Sequence, residues 1–246
     1  MKRKLFLASS LSALGLSACG QVKDSLTNGP FKRALYSTEK LNHAVIGTHG
    51  MAREYKESDV DAQFRVNGLD TPSDSTYTGL VRRGFRGYKL VVDGLVDRPQ
   101  ALSLAELRAA ANRTQITRHD CVEGWSAIGK WRGVPLGTVL GMAQPKAGAR
   151  YCVFHCFDAD QGGQRYYESL DLHQAAHPQT LLALDLNDKP LDPDHGAPVR
   201  LRIATQLGYK SAKWIGRIEV VANLKPLRGG GGGYWEDQGY EWYAGI

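Results

Sequence analysis

Cysteine is scarce in this chain: Cys19, Cys121, Cys152 and Cys156 are the four among 246 residues. So thin a set excludes a disulfide-rich scaffold, and no Cys-x-x-Cys-His occurs to attach a haem covalently. A zinc site also lacks its usual close Cys or His pairs. Long apolar runs are missing beyond the first twenty residues, so no later segment approaches the ~20 residues that a membrane-spanning helix needs. Runs of positive charge are missing too. Lys and Arg (31) outnumber Asp and Glu (25), but half of that excess is Lys2, Arg3 and Lys4. What remains forms no basic face, so no nucleic-acid partner is expected. No internal repeat is visible. A hydrophobic content of 42% with 23% charged residues excludes a disordered or collagen-like chain and fits a globular domain.

What is present begins with an export signal over residues 1–19. The basic start is followed by an apolar stretch over residues 5–16, too short to span a bilayer. It ends in Leu16-Ser17-Ala18-Cys19, which resembles a bacterial lipoprotein lipobox whose Cys is lipidated and becomes the new N-terminus. Residues 20–40, polar and broken by Gly29-Pro30, read as a tether, and residues 41–246 as the functional domain.

Periodicity is weak over residues 20–87, read as an extended arm with a short helix over 38–43 and loops over 67–75. From Tyr88 the signals sharpen. Residues 89–96 read as a β-hairpin turning on Asp93-Gly94. Ser103 and Glu106 form a capping box for a helix to about Ala111. Strands are expected over 115–121, 150–157, 166–169, 180–186, 199–204 and 214–222. A helix starting with Pro135 at its first position should run to Met142, and Asp171 should cap a short one. This irregular order, without repeated βαβ units, predicts an α+β fold with a mixed sheet. Cys152 and Cys156 lie about 13 Å apart along one strand, too far for a disulfide, and read as small core residues. Gly229 to Gly233 reads as a flexible or ligand-covering loop.

The chemistry concentrates in Arg118-His119-Asp120-Cys121-Val122-Glu123-Gly124-Trp125-Ser126, followed by Trp131-Arg132-Gly133-Val134-Pro135-Leu136. A Cys at a strand end, preceded by Arg118 and His119 and followed by a polar loop, is placed for exposure and thiolate stabilisation. Spacing alone leaves it open as a core residue, a nucleophile or a metal ligand. The stretch resembles the sulfite oxidase fold family of molybdopterin oxidoreductases, closest to the bacterial periplasmic methionine sulfoxide reductase catalytic subunit branch. Further likeness lies in His195-Gly196-Ala197-Pro198-Val199-Arg200 and in Gly208-Tyr209-Lys210-Ser211-Ala212-Lys213-Trp214.

The resemblance implies the sulfite oxidase fold, molybdenum and molybdopterin as cofactors, and Cys121 as the thiolate that ligates the metal. A soft thiolate suits that role beside the two dithiolene sulfurs of the cofactor. Glu123 matches a carboxylate near the metal that would tune it or relay protons, against the alternative of a surface Glu. Arg200 and Lys213 match the cations that hold the cofactor phosphate, with the backbone amides of Ser211 and Ala212 completing a nest. His195 and Asn42 match pterin-contacting positions. Cys156 stands where relatives place a Thr. His119 and His155 would support the site or simply fill the core.

The reaction implied is two-electron oxygen-atom transfer, with reduction of a protein or small-molecule sulfoxide leading and sulfite oxidation as the alternative. Sulfite would want convergent cations, for which Arg118, Arg132 and Lys210 are the candidates. A cofactor-free binding module is the reading from a different class. The expected partners are the substrate, a separate electron-transfer protein such as a membrane haem protein, and the membrane itself through lipidated Cys19. The expected location is the bacterial periplasm. Relatives are exported by a twin-arginine signal, from which Arg3-Lys4 departs.

If Cys19 is lipidated, mass spectrometry of the mature N-terminus will find an acylated Cys19. Changing Cys19 to Ser will release the protein from membranes or leave its signal uncut, because the anchor contributes ~0.8 kcal/mol per buried methylene. An unmodified residue other than Cys19 at the mature N-terminus would refute it.

Overall fold

Short apolar runs separated by Gly, Pro and Asp force this chain into many strands. The computed structural model describes residues 50–66, 68 and 71–246. The export segment, Cys19, the tether, the 38–43 helix and Asn42 lie outside the described residues, and every element below belongs to the compact unit Gly47–Ile246. One sheet is mixed, in the order β2-β1-β10-β5-β6. Its strands are β1 (Lys89–Gly94), β2 (Gln100–Ser103), β5 (Tyr151–Ala159), β6 (Arg165–Asp171) and β10 (Ile215–Val221). Only the β1–β10 pair is parallel. The other sheet is antiparallel, β3 (Arg113–Asp120), β4 (Ser126–Pro135), β7 (Thr180–Leu186) and β8 (Lys189–Pro190) in order, with β9 (Arg200–Ile203) on β7. Four helices accompany them among the described residues: α1 (Ser75–Arg82), α2 (Leu104–Ala110), α3 (Leu136–Ala143) and α4 (Leu172–Ala175). This is the expected mixed-sheet α+β class.

Local chemistry explains most boundaries. The Ser103 hydroxyl accepts from the Glu106 N–H while the Glu106 carboxylate accepts from the Ser103 N–H, starting α2 as expected. Asp171 caps α4 in the same sense. β7, Thr-Leu-Leu-Ala-Leu-Asp-Leu, is buried along its whole length, as a central strand requires. One large core joins α2, α3, β1, β5, β10 and the inner face of β9, and a smaller one gathers Phe64, Ala127, Trp131, Leu181 and Leu186.

Four expectations need correction. Asp93-Gly94 is not a hairpin turn: β1 continues to Gly94 and reaches β2 through residues 95–99. Parallel pairing with β10, over 120 residues away, overrides the local turn signal, and Gly94 (φ +87°) lies where a Cβ would strike the Val220 carbonyl. Pro135 is not the first residue of α3 but its cap, with extended backbone, and also ends β4. α1 occupies part of the region read as arm and loops. Its cap is Asp74, which accepts from the Thr76 and Tyr77 amides, and its buried residues are Tyr77 and Leu80. Lastly, β4 has no counterpart among the expected strands. Its inward face alternates Ala127, Gly129, Trp131 and Gly133, and glycine hides the period. Those glycines are needed because Phe64 and Leu186 press on Gly129, and the Leu182 backbone on Gly133.

A buried charge cluster ties the C-terminal segment to this frame. The Lys210 ammonium, fully buried in the turn Gly208–Lys210, donates to the carboxylates of Glu168 on β6 and Glu236, the latter at 2.5 Å. Burial lowers the Lys210 pKa, but the two carboxylates more than offset it and hold it above its ordinary value. Burial pushes Glu168 well up, since one ammonium cannot neutralise two buried carboxylates. Lys210→Met should therefore destabilise the fold by roughly 3–5 kcal/mol, the magnitude for breaking a buried pair by removing one partner. The loss should shrink as pH falls and the stranded carboxylates protonate. Denaturant midpoints of variant and wild type across pH will check this; a pH-independent difference would contradict it.

Candidate active site

Cys121 sits immediately past β3, in the tight turn that leads into β4. The Cys121 N–H donates to the Trp125 carbonyl at 2.9 Å and the Gly124 N–H to the Cys121 carbonyl at 3.0 Å, with Gly124 at φ +87°. The thiol is half-buried. Burial pushes its pKa up, against the Glu123 backbone N–H that favours the thiolate, and the Glu123 carboxylate adds to the rise. This corrects the expectation that Arg118 and His119 stabilise a thiolate. Arg118 pairs instead with Asp120 at 2.8 Å, and Arg65 is a cation that favours the thiolate. Glu123 is exposed at the rim, where its carboxylate accepts from the Trp125 indole N–H at 2.8 Å.

Beneath this turn lies positive charge that the fold has taken out of water. Arg200 and Arg202 occupy alternate positions of β9 and are fully buried, their guanidinium groups 5.2 and 5.6 Å from the Trp131 ring centre. Desolvation lowers them to about 10 and about 9, and the charge of Cys121 partly restores Arg200. Arg202 is held by the carbonyls of Ile203 (2.7 Å) and Arg118 (2.6 Å) and the Thr117 hydroxyl (3.1 Å), all neutral. Arg200 donates to the His195 carbonyl at 3.2 Å. Lys213, nearly buried, lies 3.9 Å over the Trp214 ring and donates to the Asp194 carbonyl. His119 is enclosed among these cations, and burial followed by Arg200, Arg202 and Lys213 holds it well below its ordinary pKa. Both of its ring nitrogens are buried without a hydrogen-bond partner, and Gly208 approaches so closely that a Cβ there would stand 2.5 Å from Nε2.

Cys121, Glu123, Ser211, Ala212 and Lys213 line one cleft, with Asp158, Tyr166, Trp214, Trp235 and Tyr240. The remaining sequence candidates lie elsewhere. The His195 ring turns away from the cleft, its Nδ1 on Asp192 at 2.8 Å and its Nε2 on the Phe64 carbonyl at 3.0 Å. Cys156 is buried in β5, paired with Ile215, its thiol pushed well up by burial. The Ser211 N–H already donates to the Gly208 carbonyl at 3.0 Å, so a nest made with its amide is not open as the chain stands. Cys152 and Cys156 are free thiols, as expected of core residues.

Sequence reasoning missed Asp158, Tyr166, Trp235, Tyr240, Arg65 and Arg202 at this site. Arg202 alone carried a signal, as a second Arg two residues after Arg200 in an otherwise apolar strand. The residues fit an anionic, metal-bearing organic cofactor. Lys213 lines the cleft beside its one soft sulfur donor, Cys121; Arg200, Arg202 and the orphaned His119 nitrogens are buried outside the lining, with Arg200 close enough to feel the charge of Cys121. No group of three or more His, Cys, Asp or Glu among the described residues could hold a bare metal ion.

Known proteins agree. The family described as oxidoreductase molybdopterin binding domain matches residues 79–226. The putative protein-methionine-sulfoxide reductase subunit YedZ1 of Azospira oryzae is 38% identical over 250 aligned residues, covering 99% of this chain and 87% of its own. The protein-methionine-sulfoxide reductase catalytic subunit MsrP of Xanthomonas axonopodis is 41% identical over 54% of this chain, which spans 44% of that protein. Among solved structures, the sulfane dehydrogenase SoxCD of Paracoccus pantotrophus aligns over 55% of this chain and 38% of its own, with a TM-score of 0.49 and 21% identity. The matched segment contains Cys121, Arg200, Arg202 and Lys213 together, and the chain belongs to the oxidoreductase molybdopterin binding domain family.

Proposed function

We propose that this molybdenum-dependent oxidoreductase reduces sulfoxides, with methionine sulfoxide in proteins or as a small molecule the substrate class. The observation that carries the choice over sulfite is where the three candidate anion-binding cations point. Arg118 pairs with Asp120, Arg132 with Asp185 at 2.9 Å, and Lys210 is sealed between Glu168 and Glu236. None of them lines the cleft. Its mouth is instead aromatic: Trp235 stacks on Tyr240 at 5.2 Å and Tyr240 meets Tyr209 edge-on at 5.2 Å. Such a collar suits a neutral, polarisable thioether-type side chain better than a small dianion.

When bound, the molybdenum centre supplies a two-electron couple and a site for the transferred oxygen atom. The chain's own residues hold and shield it. Cys121 offers the thiolate ligand, while Arg200 and Lys213 offer the charge for the phosphate, with the Ala212 amide assigned to the same phosphate by resemblance. His195, Cys156 and Asn42 remain assigned to the pterin by resemblance; neither His195 nor Cys156 is in the cleft lining, and Asn42 lies outside the described residues. Glu123 stands at the rim with its carboxylate held by Trp125, positioned to exchange protons with solvent. We further place the enzyme in the periplasm, exported and anchored through Cys19, with electrons delivered by a separate membrane protein.

The deciding experiment is elemental analysis together with turnover of a sulfoxide and of sulfite on one preparation. Molybdenum with sulfoxide turnover is expected; sulfite turnover alone would reverse the assignment. Cys121→Ser should leave a folded protein that has lost molybdenum-dependent turnover, since a hard oxygen donor replaces a soft sulfur. Unchanged metal spectra and rates would remove Cys121 from the metal. Arg200→Ala should weaken cofactor retention by about 1.5–3 kcal/mol, read as faster loss on dialysis. Equal occupancy of variant and wild type would separate Arg200 from the cofactor.

A further inference from the structure

Asp158 is the one carboxyl group in the cleft that the reading above leaves without a task. It stands on β5 where the strand breaks register: His155 pairs with Tyr167 and Ala159 with Arg165, so β5 carries two more residues than β6 across this interval. Such a bulge re-aims side chains. Asp158 is only 5% exposed yet lines the same cleft as Cys121, Ser211 and Lys213. Its Oδ1 is buried with no hydrogen-bond partner, an arrangement that a carboxylate tolerates poorly and a carboxylic acid can use.

We propose that Asp158 is the acid that delivers a proton to the sulfoxide oxygen as the sulfur–oxygen bond breaks. The inference rests on the sulfoxide reading. The overall conversion takes one sulfoxide, two protons and two electrons to one thioether and one water. The S–O bond breaks, sulfur is reduced to the thioether, and two O–H bonds form. The two electrons come from two equivalents of a one-electron donor acting through the bound cofactor; one proton comes from Asp158, which is then recharged from solvent, and the other from solvent directly.

The surroundings support a protonated side chain. Burial raises the Asp158 pKa to about 7, against its own backbone N–H, Lys213 and Arg165, which lower it. The other ionisable groups that feel its charge are Tyr77 on α1, Cys156 on β5, Tyr166 on β6 and Tyr234. All four are neutral near pH 7, being thiol or phenol groups held above their ordinary values. The acid form therefore dominates below about pH 7 and is lost above it.

The test compares wild-type holoenzyme with Asp158→Asn and Asp158→Glu, using methionine sulfoxide and a reduced viologen dye as electron donor. Sulfoxide turnover by the wild type should fall as pH rises through about 7. Asp158→Asn should be slower by about 10²-fold at low pH and lack that limb, and Asp158→Glu should keep it. Infrared spectra of the same holoenzyme samples supply a second readout: a carboxylic acid band in the wild type, absent from Asp158→Asn, that disappears over the pH range in which turnover falls. Asn-variant turnover within about twofold of wild type across pH would overturn the proposal, as would an Asp158 that is ionised throughout. If the Asn variant does not fold, the wild-type infrared titration and turnover limb must still coincide, and separate midpoints would overturn it. Absence of sulfoxide turnover in the wild type with the band intact would instead sink the sulfoxide reading itself, and proton delivery with it.

Discussion

Three buried cations set the terms for this molecule. Arg200, Arg202 and Lys213 lie within one region around Trp131 and His119. Moving each into a protein interior costs several kcal/mol, even after relaxation. Backbone carbonyls, a hydroxyl and two indole faces, none of them carrying a formal charge, meet part of that cost. The centre of the group stays electropositive: burial first, and then these three cations, hold the His119 pKa down, and that fact organises the rest. β9 must pair with β7 to present both arginines, and β4 must carry Trp131 inward with glycines on either side. His119, in their midst, must stay neutral.

Lys210 shows the opposite solution a few residues away in the chain. Its ammonium is also fully buried, but between two carboxylates, so its charge is met by formal charges and it serves as a clamp. What it clamps is functional. Glu236 follows Trp235 directly, and the aromatic group of Trp235, Tyr240 and Tyr209 is thereby fixed at the cleft mouth. Asp237 adds to this by accepting from the Gly229 and Gly231 amides and the Tyr167 hydroxyl, which folds the glycine-rich loop onto β6. That loop is tied down against the sheet.

Much of the fold was legible because the signals were local. The Ser103 capping box, the Asp171 cap and the largely apolar β7 each follow from residues within one turn or one strand. What was not legible depended on distant partners. Asp93-Gly94 reads as a turn until β10 arrives to pair with it, and the glycines of β4 hide its alternation until Phe64, Leu186 and the Leu182 backbone are seen pressing against them. The site divides in the same way. Cys121, Ser211, Ala212 and Lys213, which the family resemblance singled out, line one cleft. Asp158 was invisible, because a lone Asp after an apolar strand looks like an ordinary surface residue until a register break turns it inward.

The charges at the site are coupled, and the coupling gives loading a direction. As the chain stands, burial keeps the Cys121 thiol protonated and weakens the hold of Arg200 on its own proton, while a charged Cys121 steadies Arg200. A ligand that takes the Cys121 sulfur as thiolate therefore also lowers the electrostatic cost of keeping Arg200 ionised beneath it. An anionic group placed among Arg200, Arg202 and Lys213 does the same for all three. By linkage, whatever binds the folded chain in this way stabilises it. A site strained by like charge before loading and relaxed after it is one in which binding and the final stability of the fold are the same free energy, seen from two sides.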